Sequence, residues 1–292
     1  MRTVVLIPAC LIAVSAVQRP APGAAPLSIR QIGVIPVSLS PKGSILAVGC
    51  RNAVSFISVG ENRVHTVPLS GRVRDSAWTK GRQAIYIAAE YDGLLLMSPG
   101  EERARIVDST AAPEALALST DDRFLYVNYQ AGGPGGRRGH DAIAKFVKRT
   151  GRLLSTVSNL ANVGGPLAID AGAGLLWAAG LDACTSPNYD HVGCPAYPAP
   201  VLNIVDLRSD RPITSRSWPA HACGRIRFSP DSQFVFVSSD PLTVFNSRTF
   251  ETVTTVAGTT LVHIAICRNG TLAGGSVACS LAPQEHPCCF VQ

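Results

Sequence analysis

One short pattern recurs along this chain and leaves few folds open to it. It consists of an apolar residue, a turn built from Ser, Thr, Asp, Asn or Gly, and then a strongly apolar run. It reads "LSPKGSILAVG" from Leu39, "WTKGRQAIYIA" from Trp78, "LSTDDRFLYVN" from Leu118 and "IDAGAGLLWAA" from Ile169. The clearest copy is "FSPDSQFVFVSSD", Phe228 to Asp240, and the last is "ICRNGTLAGG" from Ile266. With the residue that matches Ser229 as origin, the copies begin at 40, 79, 119, 170, 229 and 267, at spacings of 39, 40, 51, 59 and 38. A recurring period near 40 is the signature of a repeat architecture.

Each copy is followed by a second strand–turn–strand unit, for example "AVSFISVGENRVHTVPL", "AIAKFVKRTGRLLSTVS" or "PLTVFNSRTFETVTTVAG". Apolar residues alternate on either side of polar turns, which is strand chemistry. One period therefore holds four short strands. A four-stranded sheet that is apolar on both faces cannot stand alone, and stacking such sheets radially gives a β-propeller. The expectation is an all-β propeller of four-stranded blades, WD40-like in plan although no WD dipeptide occurs. Six blades are favoured, the last closed by the N-terminal segment "SIRQIGVIPV", Ser28 to Val37. A seven-bladed chain shortened at its C-terminus is the rival.

The strand pair "FSPDSQFVFV" with "LTVFNSRTFETVTTV", and to a lesser degree "LSTDDRFLYV" and "VLNIVDLRSDRPI", resembles the YVTN-type secreted bacterial propellers. The resemblance runs from about residue 30 to 276. It implies a propeller fold and export, and it implies little about activity. This chain departs from the seven-bladed family in showing about six copies.

Export is also read directly from the N-terminus. Arg2, an apolar stretch and the small residues "AVSA" make residues 1–16 a secretory signal peptide, with cleavage after Ala16. A lipoprotein box at Cys10 is the weaker alternative. A Pro/Ala-rich linker follows at 17–27, and residues 28–292 form one propeller domain. The expected location is secreted or periplasmic, with no membrane span. Eight of the nine cysteines lie beyond Cys10, an even number suited to disulfides in an oxidising compartment. Cys184 with Cys194, closing a short polar loop, is the candidate bridge. Cys50 and Cys267 sit in or beside apolar runs and are candidates for buried thiols. The net charge of +6 is mild and contains no basic arm, so there is no strong nucleic-acid signal.

Two copies are longer than the rest, and the excess falls in the same place. "QAGGPGGRRGHD" (Gln130 to Asp141) and "LDACTSPNYDHVGCPAYPAP" (Leu181 to Pro200) both join the second strand of a blade to the third. Such connections emerge on the face that also carries the links from blade to blade, so both insertions are expected on one rim. The link "WPAHACG", Trp218 to Gly224, reaches the same rim. The candidate ligand-binding residues are therefore Arg137, Arg138, His140, Asp141, Tyr189, Asp190, His191 and His221, since binding residues on repeat folds gather in such loops. The suspected partner is a protein, peptide or cell-envelope ligand; the oligomeric state is left open.

No catalytic residue is assigned. There is no GxSxG elbow, no HExxH and no CxxCH, and Ser, His and Asp assemble into no recognisable triad. No cofactor is expected and no metal is assigned, because Asp190, His191 and His221 lack a tight ligand pair. "AGGPGGRRGHD" lacks the pattern and the following helix of a phosphate loop. The reading is a non-enzymatic binding scaffold. The alternative is a lactonase-like hydrolase whose polar groups, Asp75, Glu114, Asp170 and Arg225, converge on the central channel, with or without a divalent metal.

Overall fold

A computed structural model describes residues 6–7, 10–11, 36–61, 63–81, 83–129, 142–161, 163–180, 201–218, 223–239, 242–256, 261–266 and 272–276. Among these there is no helix, and so none long and apolar enough to cross a membrane. Five four-stranded antiparallel sheets follow one another, over residues 37–68, 73–108, 113–157, 167–206 with its fourth strand Arg211–Ser217, and 223–256. We number these blades 1 to 5. In every blade the strands pair in sequence order, and Leu261–Ile266 pairs with Leu272–Ser276 in a further two-stranded sheet. The innermost strands are Val37–Leu39, Val73–Trp78, Pro113–Leu118, Leu167–Asp170 and Cys223–Phe228. Each of these lies beside the next, and the fifth lies beside Leu261–Ile266. This is the propeller plan anticipated from the repeat.

The recurring turn has a common chemistry. Ser119 Oγ accepts from the backbone N–H of Phe124 (2.9 Å) and donates to Asp121 Oδ1 (2.6 Å). Ser229 Oγ repeats both bonds, to Phe234 and Asp231, and Ser40 Oγ accepts from Ile45 N–H (3.0 Å). The fourth residue of the turn has positive φ in three blades, supplied by Gly43, Asp122 and Ser232, types that adopt the left-handed region more readily than branched residues do. Blade 2 uses Thr79 and blade 4 uses Asp170 at the Ser position.

Packing explains why the second strands are apolar on both faces. In Ile85–Ala89, residues Ile85, Ile87 and Ala89 pack into a cluster shared with blade 1, while Tyr86 and Ala88 pack into one shared with blade 3. The strand Leu175–Gly180 is buried throughout for the same reason: Leu176 and Ala178 join blade 3, and Leu175, Trp177 and Ala179 join blade 5. The core is thus four successive interfaces between blades and no single centre. With strand residues pointing alternately to opposite faces, each blade must have a neighbour on both sides.

Of the proposed closing segment, only Pro36 and Val37 fall within the described residues. Val37 pairs with Val48 in blade 1, so the end of that segment belongs to the first blade. The short pair Leu6–Ile7 and Cys10–Leu11 lies in the stretch expected to be a signal peptide.

Candidate functional site

Each innermost strand runs from the end where a blade is entered to the end that carries the Ser turn. The connection between second and third strands returns to the entry end, which we call the rim end. In blades 1 and 2 this connection is tight, bridging the paired residues Gly49 and Val54, and Ala89 and Gly93. Gly93 has φ +83°, and a Cβ there would lie 2.2 Å from the Asp108 carbonyl oxygen, so the tight turn of blade 2 requires glycine. In blade 3 the same connection joins Tyr129 to Ile143, and in blade 4 it joins Gly180 to Val201, which are themselves register partners. The two long segments therefore leave and return at the rim end of adjacent blades. Arg137, Arg138, His140, Asp141, Tyr189, Asp190, His191 and His221, and the pair Cys184 and Cys194, lie outside the described residues.

Beneath that rim the innermost strands carry a repeated irregularity. The register shifts between Val73 and Asp75, between Pro113 and Ala115, between Cys223 and Arg225, and between Leu261 and His263. A bulge adds one residue to one strand and re-aims the side chains beside it. Asp75 and Arg225 sit immediately after two of these bulges. Their side chains meet: Arg225 Nη1 donates to Asp75 Oδ1 at 2.6 Å, between residues 150 apart in sequence. The other carboxylate oxygen, Oδ2, accepts from the backbone N–H of Leu116 at 2.9 Å. Asp75 is thereby bonded to blades 3 and 5 from its place on blade 2. The ion pair crosses the space between innermost strands that are three blades apart.

A second group flanks this bridge. Arg74 Nη2 donates to Glu90 Oε1 at 2.6 Å, and its Nε lies 3.8 Å from Glu114 Oε2. Burial pushes the Glu114 carboxyl above the ordinary carboxylate range, opposed by the positive charges of Arg74 and Arg72. The rim end of blades 2, 3 and 5 therefore gathers Arg74, Asp75, Glu90, Glu114 and Arg225, with Arg72 near enough for its charge to act on Glu114. Most are already paired, so the set is built to hold blades 2, 3 and 5 in register and to present a polar floor.

Of the four channel candidates read from the sequence, the structure brings Asp75 and Arg225 into contact, with Glu114 beside them. Asp170 is elsewhere. Its Oδ1 accepts from the N–H groups of Gly172 (2.8 Å) and Ala173 (3.1 Å), which makes it the turn-forming residue of blade 4 at the opposite end of the strand. Arg74 and Glu90 were missed by sequence reasoning. Their signal was adjacency, since Arg74 precedes Asp75 and Glu90 directly follows a fully buried strand. Cys50 is buried at 2 % exposure but is disulfide-bonded, so the expectation of a free buried thiol there is corrected. Among the described residues no three His, Cys, Asp or Glu side chains gather in a way that could hold a metal ion.

No protein-family profile matches the chain, and no curated protein matches it. Among solved structures it is similar to Kuenenia stuttgartiensis hydrazine synthase, with a TM-score of 0.66 and 15 % sequence identity, over 82 % of this chain and 72 % of that one. At that identity the likeness is one of fold, and it agrees with a β-propeller.

Proposed function

We propose that this chain is an exported, non-enzymatic propeller that binds a protein, peptide or cell-envelope ligand at its rim end. The observation that carries this reading is the placement of the two long connections. Their anchor points lie at the same end of adjacent blades, the end that carries the paired charges, where blades 1 and 2 turn tightly. A rigid scaffold with long loops on one edge is the usual arrangement of a recognition surface. The secretory N-terminus and the resemblance to YVTN-type propellers support a secreted or periplasmic setting for that surface.

The hydrolase reading loses support on the same geometry. Asp75 is committed to Arg225 and to a backbone N–H, and Asp170 is committed to its own turn. A carboxylate serving as base or nucleophile must have a lone pair directed at substrate. Glu114 retains that freedom, and the remaining oxygen of Asp170, Oδ2, has no hydrogen-bond partner among the described residues but is fully buried at the Ser-turn end, away from Glu114.

The test replaces 181–200 with a tight turn of the blade 2 type and, separately, changes Arg137, Arg138, His140, Tyr189, Asp190 and His191 to alanine. Tagged variants are used to recover partners from the exported fraction of the source cells. The expected result is loss of the partners recovered by the wild-type protein. An unchanged set of partners with both variants folded would overturn the proposal.

A further inference from the structure

We propose a second docking surface, independent of the rim loops: the outer edge of blades 3 to 5 near their Ser-turn end, which takes an acidic segment of a partner protein with apolar side chains among its acids. The outermost strands of these blades are Arg152–Val157, Arg211–Ser217 and Thr252–Val256. Each has a bulge at the same register, and the extra residue is Leu154, Ile213 or Val253. These three are 46 %, 50 % and 53 % exposed. Blade 1 pairs without a bulge in its outermost strand, and the extra residue of blade 2, Val107, is half-buried at another register. A bulge on an open edge discourages pairing with a foreign strand. That explains the bulge and leaves the large aliphatic side chain on it unexplained, since a charged one would guard the edge better.

Positive charge gathers on the same edge. The turn that leads into each of these strands lies at the Ser-turn end and carries an exposed arginine at one register, Arg149, Arg208 and Arg248. Blades 1 and 2 have Gly60 and Gly100 there. Arg152 and Arg211 add an exposed cation three residues later in blades 3 and 4. None of these arginines is in an ion pair among the described residues. The acids of the same turns are mostly committed: Asp210 accepts from Lys145 Nζ at 2.7 Å, and Asp206 accepts from the Arg208 N–H and the Ser209 hydroxyl. Glu251 is the remaining exposed acid. Apolar and basic positions also adjoin. Ser155, next to Leu154, donates to Asp210 Oδ2 at 3.5 Å, and Asp210 precedes Arg211 in the turn of blade 4. The bulge of blade 3 therefore abuts the basic turn of blade 4.

The chemistry of the partner follows. Uncommitted guanidinium groups match carboxylates in two-bond forks, and charge complementarity selects an anionic partner. The aliphatic residues between the arginines ask for apolar side chains placed among those acids. A protein segment of Glu or Asp interspersed with apolar residues supplies both, whereas a polyphosphate or nucleic-acid backbone supplies charge alone. The bulges deny the partner a strand pairing, so the contact is made through side chains. The three apolar positions sit on three successive blades, which suits a segment running from blade to blade better than the flat surface of a bilayer.

The probe is a fluorescent random copolymer of glutamate and leucine, titrated with the full chain at fixed ionic strength and followed by anisotropy. Polyglutamate and phosphatidylglycerol vesicles are run in parallel. Saturable binding of the copolymer is expected, about tenfold weaker in Arg149→Gln/Arg208→Gln/Arg248→Gln, as three surface charge contacts together would give. Leu154→Ser/Ile213→Ser/Val253→Ser should weaken it several-fold. Arg63→Gln/Arg103→Gln, which lowers the charge of blades 1 and 2, should bind as the wild type does, and so should the chain with 181–200 replaced by a tight turn. Unfolding temperatures are read for every variant, and Arg208→Gln and Leu154→Ser alone carry the test at smaller amplitude where a triple variant does not fold. No saturable binding by the wild-type protein, unchanged affinity in the arginine or the apolar variant, polyglutamate bound as tightly as the copolymer, or vesicles bound more tightly would each overturn the proposal. Because the rim loops take no part in this edge, failure here leaves the rim reading unaffected.

Discussion

Residues at the same register of the repeat have opposite fates on the two flanks of the molecule. Counted from the Ser turn, Val37 of blade 1 corresponds to Leu116, Leu167 and Ile226 of blades 3, 4 and 5. The last three are 5 %, 6 % and 0 % exposed, whereas Val37 is 49 % exposed. Leu39 corresponds to Trp78, and the figures are 54 % and 9 %. The column is mostly apolar, so intrinsic preference is not the difference. The difference is the neighbour. In blades 2 to 5 the preceding blade covers this face, and among the described residues nothing covers it in blade 1. The trailing flank shows the same thing at one position: Val256 on the last strand of blade 5 is 43 % exposed, where Val157 at the same register of blade 3 is 0 %. Stability in such a molecule resides in the interfaces between blades, as it does in repeat proteins generally.

The largest expected effect lies in the interface between blades 4 and 5. Trp177 is fully buried, with the rings of Phe250, Phe245 and Phe228 at 5.7, 6.1 and 6.2 Å. Trp177→Ala should cost about 3–5 kcal/mol of unfolding free energy, by the usual penalty for truncating a buried aromatic. Its indole N–H has no hydrogen-bond partner among the described residues. Trp177→Phe therefore forfeits volume alone and should cost roughly half as much. Denaturant titration of the two variants separates packing from hydrogen bonding, and equal losses would break the account of that interface.

Next is the bridge that reaches from the covered middle of the molecule to its trailing flank. Asp75→Ala leaves Arg225 without its carboxylate and the Leu116 N–H without its acceptor. Both groups are mostly buried, with side-chain exposures of 17 % and 8 % for Arg225 and Asp75. Removing one partner of such a pair should cost about 2–4 kcal/mol. The double variant Asp75→Ala/Arg225→Met should recover part of that, since no lone buried charge remains. If the single and double variants unfolded alike, the pair would be stabilising nothing beyond its own surroundings.

A smaller, pH-dependent effect belongs to Glu114. Burial raises its folded pKa above the unfolded value, so the native state holds the proton more tightly. The stability this confers is fully present at low pH and declines as pH rises from the unfolded pKa through the folded one. Glu114→Gln removes that decline. The variant should gain on the wild type as pH is raised from 4 to 7, as read by urea titration at both values. The exposed turn residue Asp121 has the opposite sign: bonds from Ser119 and the Arg123 N–H lower its pKa, and its small contribution is lost as pH falls.

Much of this architecture was legible before any coordinates. Four strands per period, the Ser119 and Ser229 turns and the place of the long connections all follow from local pattern, because strand alternation and turn chemistry are written in neighbouring residues. The site was harder to read. Asp75 and Arg225 meet across 150 residues, and a bulge demands no particular residue type, so neither the pairing nor its re-aiming leaves a local trace. Asp170 was misplaced for a related reason. An aspartate at a position elsewhere filled by Ser or Thr does the turn's work with its carboxylate, and sequence alone does not distinguish a capping carboxylate from one facing a channel.

The smallest expected effect is the one that tests the opening contrast most directly. Leu39→Ser removes an apolar side chain that is already half in water. The transfer free energy still to be lost is a minor part of the roughly 1.5–3 kcal/mol that full burial of a leucine is worth. A cost below about 1 kcal/mol is expected, within the range of ordinary surface substitutions. A change on the same face of a covered blade, Leu167→Ser at the register of Val37, should cost several times more, because Leu167 is 6 % exposed within the cluster shared by blades 3 and 4. Equal costs at the two positions would mean that the leading face of blade 1 is covered in solution. The apolar column would then have a neighbour in all five blades, and the contrast between the flanks would vanish.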